Sequence, residues 1–368
     1  MKKKEKRTTI LVIGDEGDFD TYRKFEKEGR FILKTHFDFK NIHYKDLLKR
    51  NIPEIGTEKV IIFFFFPFIY WNKNIEHPRY RGIYGNHTFY RKFNRFARMI
   101  VKIIKDSLPE KDILLVNNPM TSSFYRDKVT VMKTLSKAGI VVPPLFKVKR
   151  VRDIKKLLKK GHKFFIKPRC GSMGKGITFL QLGNWQSNFS FKNNRIISRK
   201  SDYGWKFRDM TGNSRFLRAL LHSKDVFMEE AIEPLSIKDE RVDFRVYGFL
   251  NKVMYVYPRR NSIDSVTTNI SQGGYGDPGI LEIIPEKLQE KVKKIVKKAM
   301  KTLDIKFAGI DVIVDSSLQN LYIVDVNMFP GLPKRKTFNL AREVIKDLKR
   351  HDGKGTLRYT RGKDISLG

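Results

Sequence analysis

Residues 309–331 read GIDVIVDSSLQNLYIVDVNMFPG. Two apolar, β-branched runs flank a polar turn, Ser316 to Asn320, the signature of a β-hairpin. A turn centred near Leu318 sets Asp311 across from Asp325. Asn327 then shares their face, because side chains two apart on a strand point the same way. Facing carboxylates on neighbouring strands repel. A hard dication held by oxygen ligands removes that repulsion, and two carboxylates plus an amide suit Mg²⁺ bound with a nucleotide phosphate. An ordinary hairpin with its acids in water is the alternative reading of the same residues.

Outward from this hairpin, the bulk properties set limits. The chain has 368 residues, enough for two or three domains with sizeable cores. Its one cysteine, Cys170, excludes an intrachain disulfide, so stability does not depend on an oxidising compartment. The N-terminus MKKKEKR is basic, but the apolar stretch after it, Ile10 to Ile13, is too short for a secretory signal. The longest apolar run, Val60 to Trp71, contains Pro67 and falls short of the ~20 residues of a membrane span. A cytoplasmic protein is the expectation. Lys and Arg number 75 against 39 Asp and Glu, a formal charge of +36, which favours anionic partners. The charge is dispersed along helix-like stretches, as in Lys155, Lys156, Lys159 and Lys160. The same holds for Lys291 to Lys301, where Leu288, Val292, Ile295, Ala299 and Leu303 mark an apolar face. Solvated helix faces explain much of it.

Strand-like runs at 10–14, 31–37 and 60–66, with mixed polar stretches between, suggest a small N-terminal α/β domain. Phe93, Phe96, Ile100 and Ile104 have helical spacing, which favours core packing over base stacking for the aromatic–basic segment Tyr70 to Arg98. Asp127 or a nearby Ser can cap a helix ending at Gly139, and a lysine-rich helix follows at 151–160. Strands are expected at 163–170 and 177–182, then at 226–232, 243–250 and 252–260. Within 183–224 only RIISRK (195–200) is strand-like. A long helix over 285–303 leads into the hairpin, and a basic helix and loose end close the chain.

Two further constellations carry chemistry. Gly171-Ser172-Met173-Gly174-Lys175-Gly176 joins two strands. Glycines let backbone N–H groups approach a phosphate, and the Ser172 hydroxyl adds a donor. No Lys-Ser/Thr and no helix follow, so this is not a Walker A loop. Lys167 lies in an otherwise apolar strand, where a lysine needs an anion or a carboxylate. Then Glu229 and Glu230 interrupt an apolar strand, and Asp243-Phe244-Arg245 follows. A strand edge can read adenine, a carboxylate can hold ribose hydroxyls, and Arg245 can clamp a transferring phosphoryl group. A salt-bridged sheet face is the alternative.

Taken in order, Asp127-Lys128, Phe-Ile-Lys167-Pro, the glycine loop, Glu229-Glu230-Ala-Ile232, Asp243-Phe-Arg245, Asn269 with Gly273-Gly274, Asp311 and Asp325-Val-Asn327 resemble an ATP-grasp enzyme. The resemblance covers about 118–335. Within the superfamily the chain is similar to the RimK-type glutamate ligases, and its TTNISQGG stretch to the endospore coat-associated YheC/YheD-like group. The resemblance implies an α/β (α+β) ATP-grasp fold behind a pre-ATP-grasp domain at 1–118. A central lid subdomain would span 119–226, a C-terminal subdomain with the metal site 227–340, and a basic tail 341–368. It implies ATP and Mg²⁺ as cofactors, with one or two ions and Mn²⁺ as an option. Lys128 and Lys167 would contact phosphates or adenine. Gly171, Ser172, Gly174 and Gly176 would form a mobile lid. Glu229, Glu230 and Ile232 would sit at the adenine hinge, with a backbone contact from Glu230 or Ile232. Arg245 and Lys167 would be catalytic, Asn269 would shape the acceptor side, and Asp311, Asp325 and Asn327 would hold the metal. Asp243 belongs to the nucleotide site, and Glu233 and Asp239 compete as ribose ligand. Asp325 stands where relatives carry Glu. The implied reaction joins a carboxylate to an amine through an acylphosphate, the acceptor being an amino acid or acidic peptide. An ATP-grasp kinase, a nucleic-acid-binding protein with a degenerate site, and a non-catalytic coat-associated protein are the rival readings.

Overall fold

Strand Thr8–Gly14 is buried along its whole length, and its apolar run places it at the centre of a parallel sheet. It pairs in parallel with Phe37–His43 on one side and Lys59–Phe64 on the other, and Asp112–Leu115 extends the sheet. This is a computed structural model describing residues 8–15, 20–32, 36–76, 80, 82–197, 205–334 and 336–367. The basic N-terminal heptapeptide and residues 198–200 of the RIISRK run lie outside them. Helix His87–Ser107 packs on this first sheet. Asn86 caps it by accepting from the Phe89 N–H (3.1 Å), and Phe93, Phe96, Ile100 and Ile104 are buried at the expected spacing.

Two expectations for this region fail. The strand expected at 31–37 is displaced: Phe31 and Ile32 end the helix Asp20–Ile32, and extended chain begins only at Phe37. Both segments mix apolar and basic residues, so local pattern cannot separate a helix end from a strand start. The loose C-terminal end is ordered instead. Helix Leu340–Gly353 buries Leu340, Val344, Ile345 and Leu348, and Thr360–Arg361 adds an antiparallel edge strand against Asp112–Leu115.

Two further sheets hold the central region. One is antiparallel and six-stranded, in the order 208–209, 184–187, 178–181, 164–168, 226–230, 145–146. The segment 183–224 thus supplies strands to this sheet, together with the hairpin Ser190–Lys192/Arg195–Ile197 and helix Ser214–Leu221. The other sheet runs Tyr275–Gly276, Lys252–Ser262, Glu240–Phe249, Phe307–Val314, Leu321–Asn327, all antiparallel. One face of it buries Val242, Phe244, Val246, Ile310, Val312 and Ile323 against helix Glu286–Thr302. The lysines of that helix lie on its outer side, as expected for a solvated face. The other face of the sheet looks into a cleft whose far wall is the strands Phe164–Pro168 and Val226–Glu230. No helix among the described residues is long and apolar enough to cross a membrane.

Candidate functional site

The hairpin brings its two acids together through an irregularity. Near the turn the register pairs Val314 with Leu321 and Val312 with Ile323. Continued unchanged, that ladder would set Val324 across from Asp311 and turn Asp325 toward the core. Instead the register shifts between Asp311 and Val312, Val324 becomes the extra residue of a β-bulge, and Asp325 pairs with Asp311. Ile323 and Val326, three apart, therefore both reach the core. Asn327 pairs with Gly309, and its Oδ1 accepts from the Phe329 N–H (3.0 Å).

Direct cross-strand pairing extends this row of side chains to Arg245 and Tyr257. Arg245 makes a two-pronged hydrogen bond to Asp311, with Nη2 2.9 Å from Oδ2. Gly309 leaves the space: a Cβ there would lie 3.0 Å from Arg245 Cδ and 3.0 Å from Pro330. In the next row Arg259 faces Asp243, donating from Nε at 2.8 Å, and also reaches Asp311 Oδ2 at 3.2 Å. Lys128, at the start of a helix capped by Asp127, hydrogen-bonds Asp325 Oδ1, and Lys167 hydrogen-bonds Glu229 on the opposite wall. Four cations thus balance four carboxylates, Glu229, Asp243, Asp311 and Asp325. Burial pushes the Asp325 carboxyl up, but the charge and hydrogen bond of Lys128, with Arg245 and Lys167, hold it below the ordinary value. Burial works against charging Arg259, yet Asp243 and Asp311 hold its proton more tightly than usual.

Of the residues singled out in the sequence, Lys128, Lys167, Gly171, Ser172, Gly174, Glu229, Glu230, Ile232, Asp243, Asn269, Asp311 and Asp325 line the cleft. The Glu230 N–H is taken by the Pro144 carbonyl (2.9 Å), whereas among the described residues the Ile232 N–H meets no acceptor. Gly176 does not line the cleft; with φ +76° it packs against Phe189 and Pro168. Glu233 and Asp239 do not line it either. Glu233 instead binds Lys163 (2.8 Å) and Arg241 (3.3 Å), and Asp239 occupies a tight turn at φ +57°. Ser172 hydrogen-bonds Tyr84 of the N-terminal region (3.0 Å), and Ser271 holds the Met173 carbonyl (3.1 Å), so the glycine loop is tethered on two sides. Burial pushes the Cys170 thiol up to about 12, which keeps it protonated and fits a structural role.

Arg245 and Asn327 open instead into a second cavity of ≈ 760 Å³, beyond the paired acids. Lys128, Arg259, Asp311, Asp325, Asn269 and the glycine loop line both spaces. Sequence reasoning missed Arg259, which is buried and central to the acid row. Its signal was present: an arginine ending an apolar strand needs a carboxylate, and hairpin register from Asn251 points it at Asp243.

The paired acids and Asn327 offer only oxygen donors on one sheet face, which fits a hard divalent cation. Lys128, Arg245 and Arg259 supply the counter-charge on the same face.

A family model described as YheC/D like ATP-grasp matches residues 117–351, more than half of the chain. Among solved structures, the macrocyclase MdnC of Microcystis aeruginosa MRC, bound with precursor peptide MdnA, matches at TM-score 0.55 and 9% identity, over 93% of this chain and 99% of that one. The ATP-grasp ligase PsnB, complexed with a minimal precursor, matches at TM-score 0.53 and 14% identity, over 93% and 98%. A RiPP-associated ATP-grasp ligase of Chryseobacterium gregarium, in complex with ADP and a leader and core peptide, matches at TM-score 0.53 and 13% identity, over 96% and 99%. At these identities the likeness is one of fold. No curated protein matches the chain.

Proposed function

The chain belongs to the YheC/D-like ATP-grasp family, and on that basis we propose that it is an ATP-dependent carboxylate–amine ligase working through an acylphosphate. One observation carries the reading. The cleft and the larger cavity meet at Lys128, Arg259 and the Asp311–Asp325 pair, so a nucleotide in one and an acceptor in the other share a charged junction. ATP-grasp ligases of this fold, one solved with a minimal precursor and one with a leader and core peptide, support it by analogy.

In this reading adenine lies toward Ile232, whose N–H has no other acceptor among the described residues, and the glycine loop covers the β- and γ-phosphates. Asp311, Asp325 and Asn327 would hold Mg²⁺, which would offset charge on the phosphates. Lys128 and Lys167 turn from their carboxylates toward phosphate oxygens, and Arg245 with Arg259 steadies the γ-phosphoryl group as charge builds on it. A substrate carboxylate oxygen attacks the γ-phosphorus and the bond to the β-phosphate oxygen breaks, giving an acylphosphate and ADP. An amine nitrogen then attacks the acyl carbon. Phosphate leaves, and the amine proton passes to phosphate or solvent. The protein positions groups, neutralises charge and keeps water from the acylphosphate, with no covalent nucleophile.

ADP release with ATP and Mg²⁺, screened over amino acids and acidic peptides, tests the proposal. Asp311→Ala and Lys167→Ala should each lower turnover by about a hundredfold or more. Unchanged turnover in both sinks it. Phosphate released only when an amine is present marks a ligase; transfer that ignores the amine marks a kinase.

A further inference from the structure

The larger cavity contains polar groups that phosphoryl transfer does not use. Ser122 Oγ and the Nε and Nη2 atoms of Arg126 are buried, have no hydrogen-bond partner among the described residues, and belong to residues lining this cavity. Arg126 has no ion pair among the described residues either. An unsatisfied buried donor costs about 1–3 kcal/mol, more when charged, so two such residues in one cavity call for an explanation. Packing fixes the guanidinium rather than leaving it to wander. Its centre lies 4.5 Å from the Trp71 ring centroid, 5.2 Å from that of Phe66 and 5.6 Å from that of Phe93. Aromatic faces steady a cation but leave its in-plane N–H donors for another group. Trp71 is itself held, since its indole N–H donates to Glu76 (2.9 Å).

We propose that Arg126 and Ser122 bind a free carboxylate of the ligated substrate, distinct from the carboxylate that is phosphorylated. A guanidinium fork beside a hydroxyl matches the two oxygens of a carboxylate, and the surrounding rings suit the apolar part of a small molecule. Arg126 lies two residues before Lys128, whose Nζ reaches Asp325, so the chain between them spans at most about 7 Å. Ser122, Arg126, Lys128, Arg245 and Asp325 line the same cavity, so one substrate can reach both the anchor and the phosphoryl site. This inference rests on the ligase reading and narrows its substrate to a molecule carrying a carboxylate beyond the reacting group.

The test is calorimetric titration of the full chain, saturated with Mg²⁺ and ADP, with L-glutamate, Ala-Glu and Glu-Glu and the C-terminal amide of each. The free acids should bind about tenfold or more tightly than their amides. Arg126→Gln should erase that preference, Ser122→Ala should weaken it severalfold, and Arg126→Lys should fall between wild type and Arg126→Gln. ADP affinity should be the same in all three variants. Equal binding of acids and amides, failure of every free acid to bind, or a preference that survives Arg126→Gln overturns the proposal. If Arg126→Gln melts before titration, Ser122→Ala and Arg126→Lys decide the matter by the same comparison. Failure of the wild-type chain to bind ADP at all would instead overturn the nucleotide reading.

Discussion

Lys167 shows how much a single side chain can reveal. A lysine inside an apolar strand required an anionic partner, and the structure supplies Glu229, only 1% exposed and with one carboxylate oxygen buried without a hydrogen-bond partner among the described residues. Removing the lysine strands that carboxylate. Lys167→Met should therefore destabilise the fold by about 3 kcal/mol or more, and adding Glu229→Gln should recover most of the loss. Urea unfolding of the two single variants and the double variant measures this. A loss under about 1 kcal/mol for Lys167→Met would mean that the pair does not hold Glu229 in place. The residues legible at this scale share one property: each violates the pattern of its own element. Lys167, Asp311, Asp325 and Arg245 are charges in apolar strands. Arg126 and Ser122 sit in a polar loop-like stretch, where nothing local marks them, and only the cavity shows buried polar atoms on them with no hydrogen-bond partner among the described residues.

Among elements, the hairpin was readable and its irregularity was not. Apolar alternation and the polar turn fixed two strands, and a symmetric fold about Leu318 placed Asp311 opposite Asp325. The turn actually closes between Asp315 and Asn320, and the bulge at Val324 restores the pairing at the acids. A bulge leaves no signature in a run of β-branched residues, so the correct pairing came from a register that holds on only one side of it. The glycine loop poses a related problem of contact across elements. Gly85, at φ +69°, sits against it: a Cβ there would lie 2.5 Å from the Gly171 nitrogen, and the Cys170 N–H donates to the Gly85 carbonyl (3.2 Å). Gly85→Ala should strain the backbone by about 1–3 kcal/mol and push the loop from its seat. Steady-state kinetics should then show a KM for ATP raised about tenfold, or about 1.4 kcal/mol in binding. An unchanged KM would show that the contact does not position the loop.

For the whole molecule, the sequence suggested a first domain, two further subdomains and a basic tail, but not how the ends of the chain meet. Pairing of Thr360–Arg361 with Asp112–Leu115 joins residues some 250 positions apart, and no local pattern encodes such a contact. The tail looked loose because it is short, basic and rich in glycine. It is held by the Gly362 N–H to the Lys111 carbonyl (2.9 Å) and by Ile365, buried against the long helix of the first domain. Removing residues 355–368 should cost about 3 kcal/mol from the lost burial and edge pairing. Thermal melting checks this, and a midpoint unmoved by the truncation would show the tail to be dispensable. The formal charge of +36 likewise has no local meaning at the site, where cations and carboxylates balance, so the excess lies mainly on outer surfaces such as the lysine face of helix Glu286–Thr302.

That balance governs how ligands enter. Lys128, Lys167, Arg245 and Arg259 are each already engaged with an acid, and on the proposed reading the acids nearest the junction are the ones that take the metal. A nucleotide arriving alone must draw Lys128 from Asp325 and leave that acid bare; a divalent ion arriving alone leaves the lysine bare. Arriving together they exchange partners with every charge still matched. On the proposed reading, nucleotide and metal should therefore bind with positive, reciprocal cooperativity that arises in the ion pairs themselves.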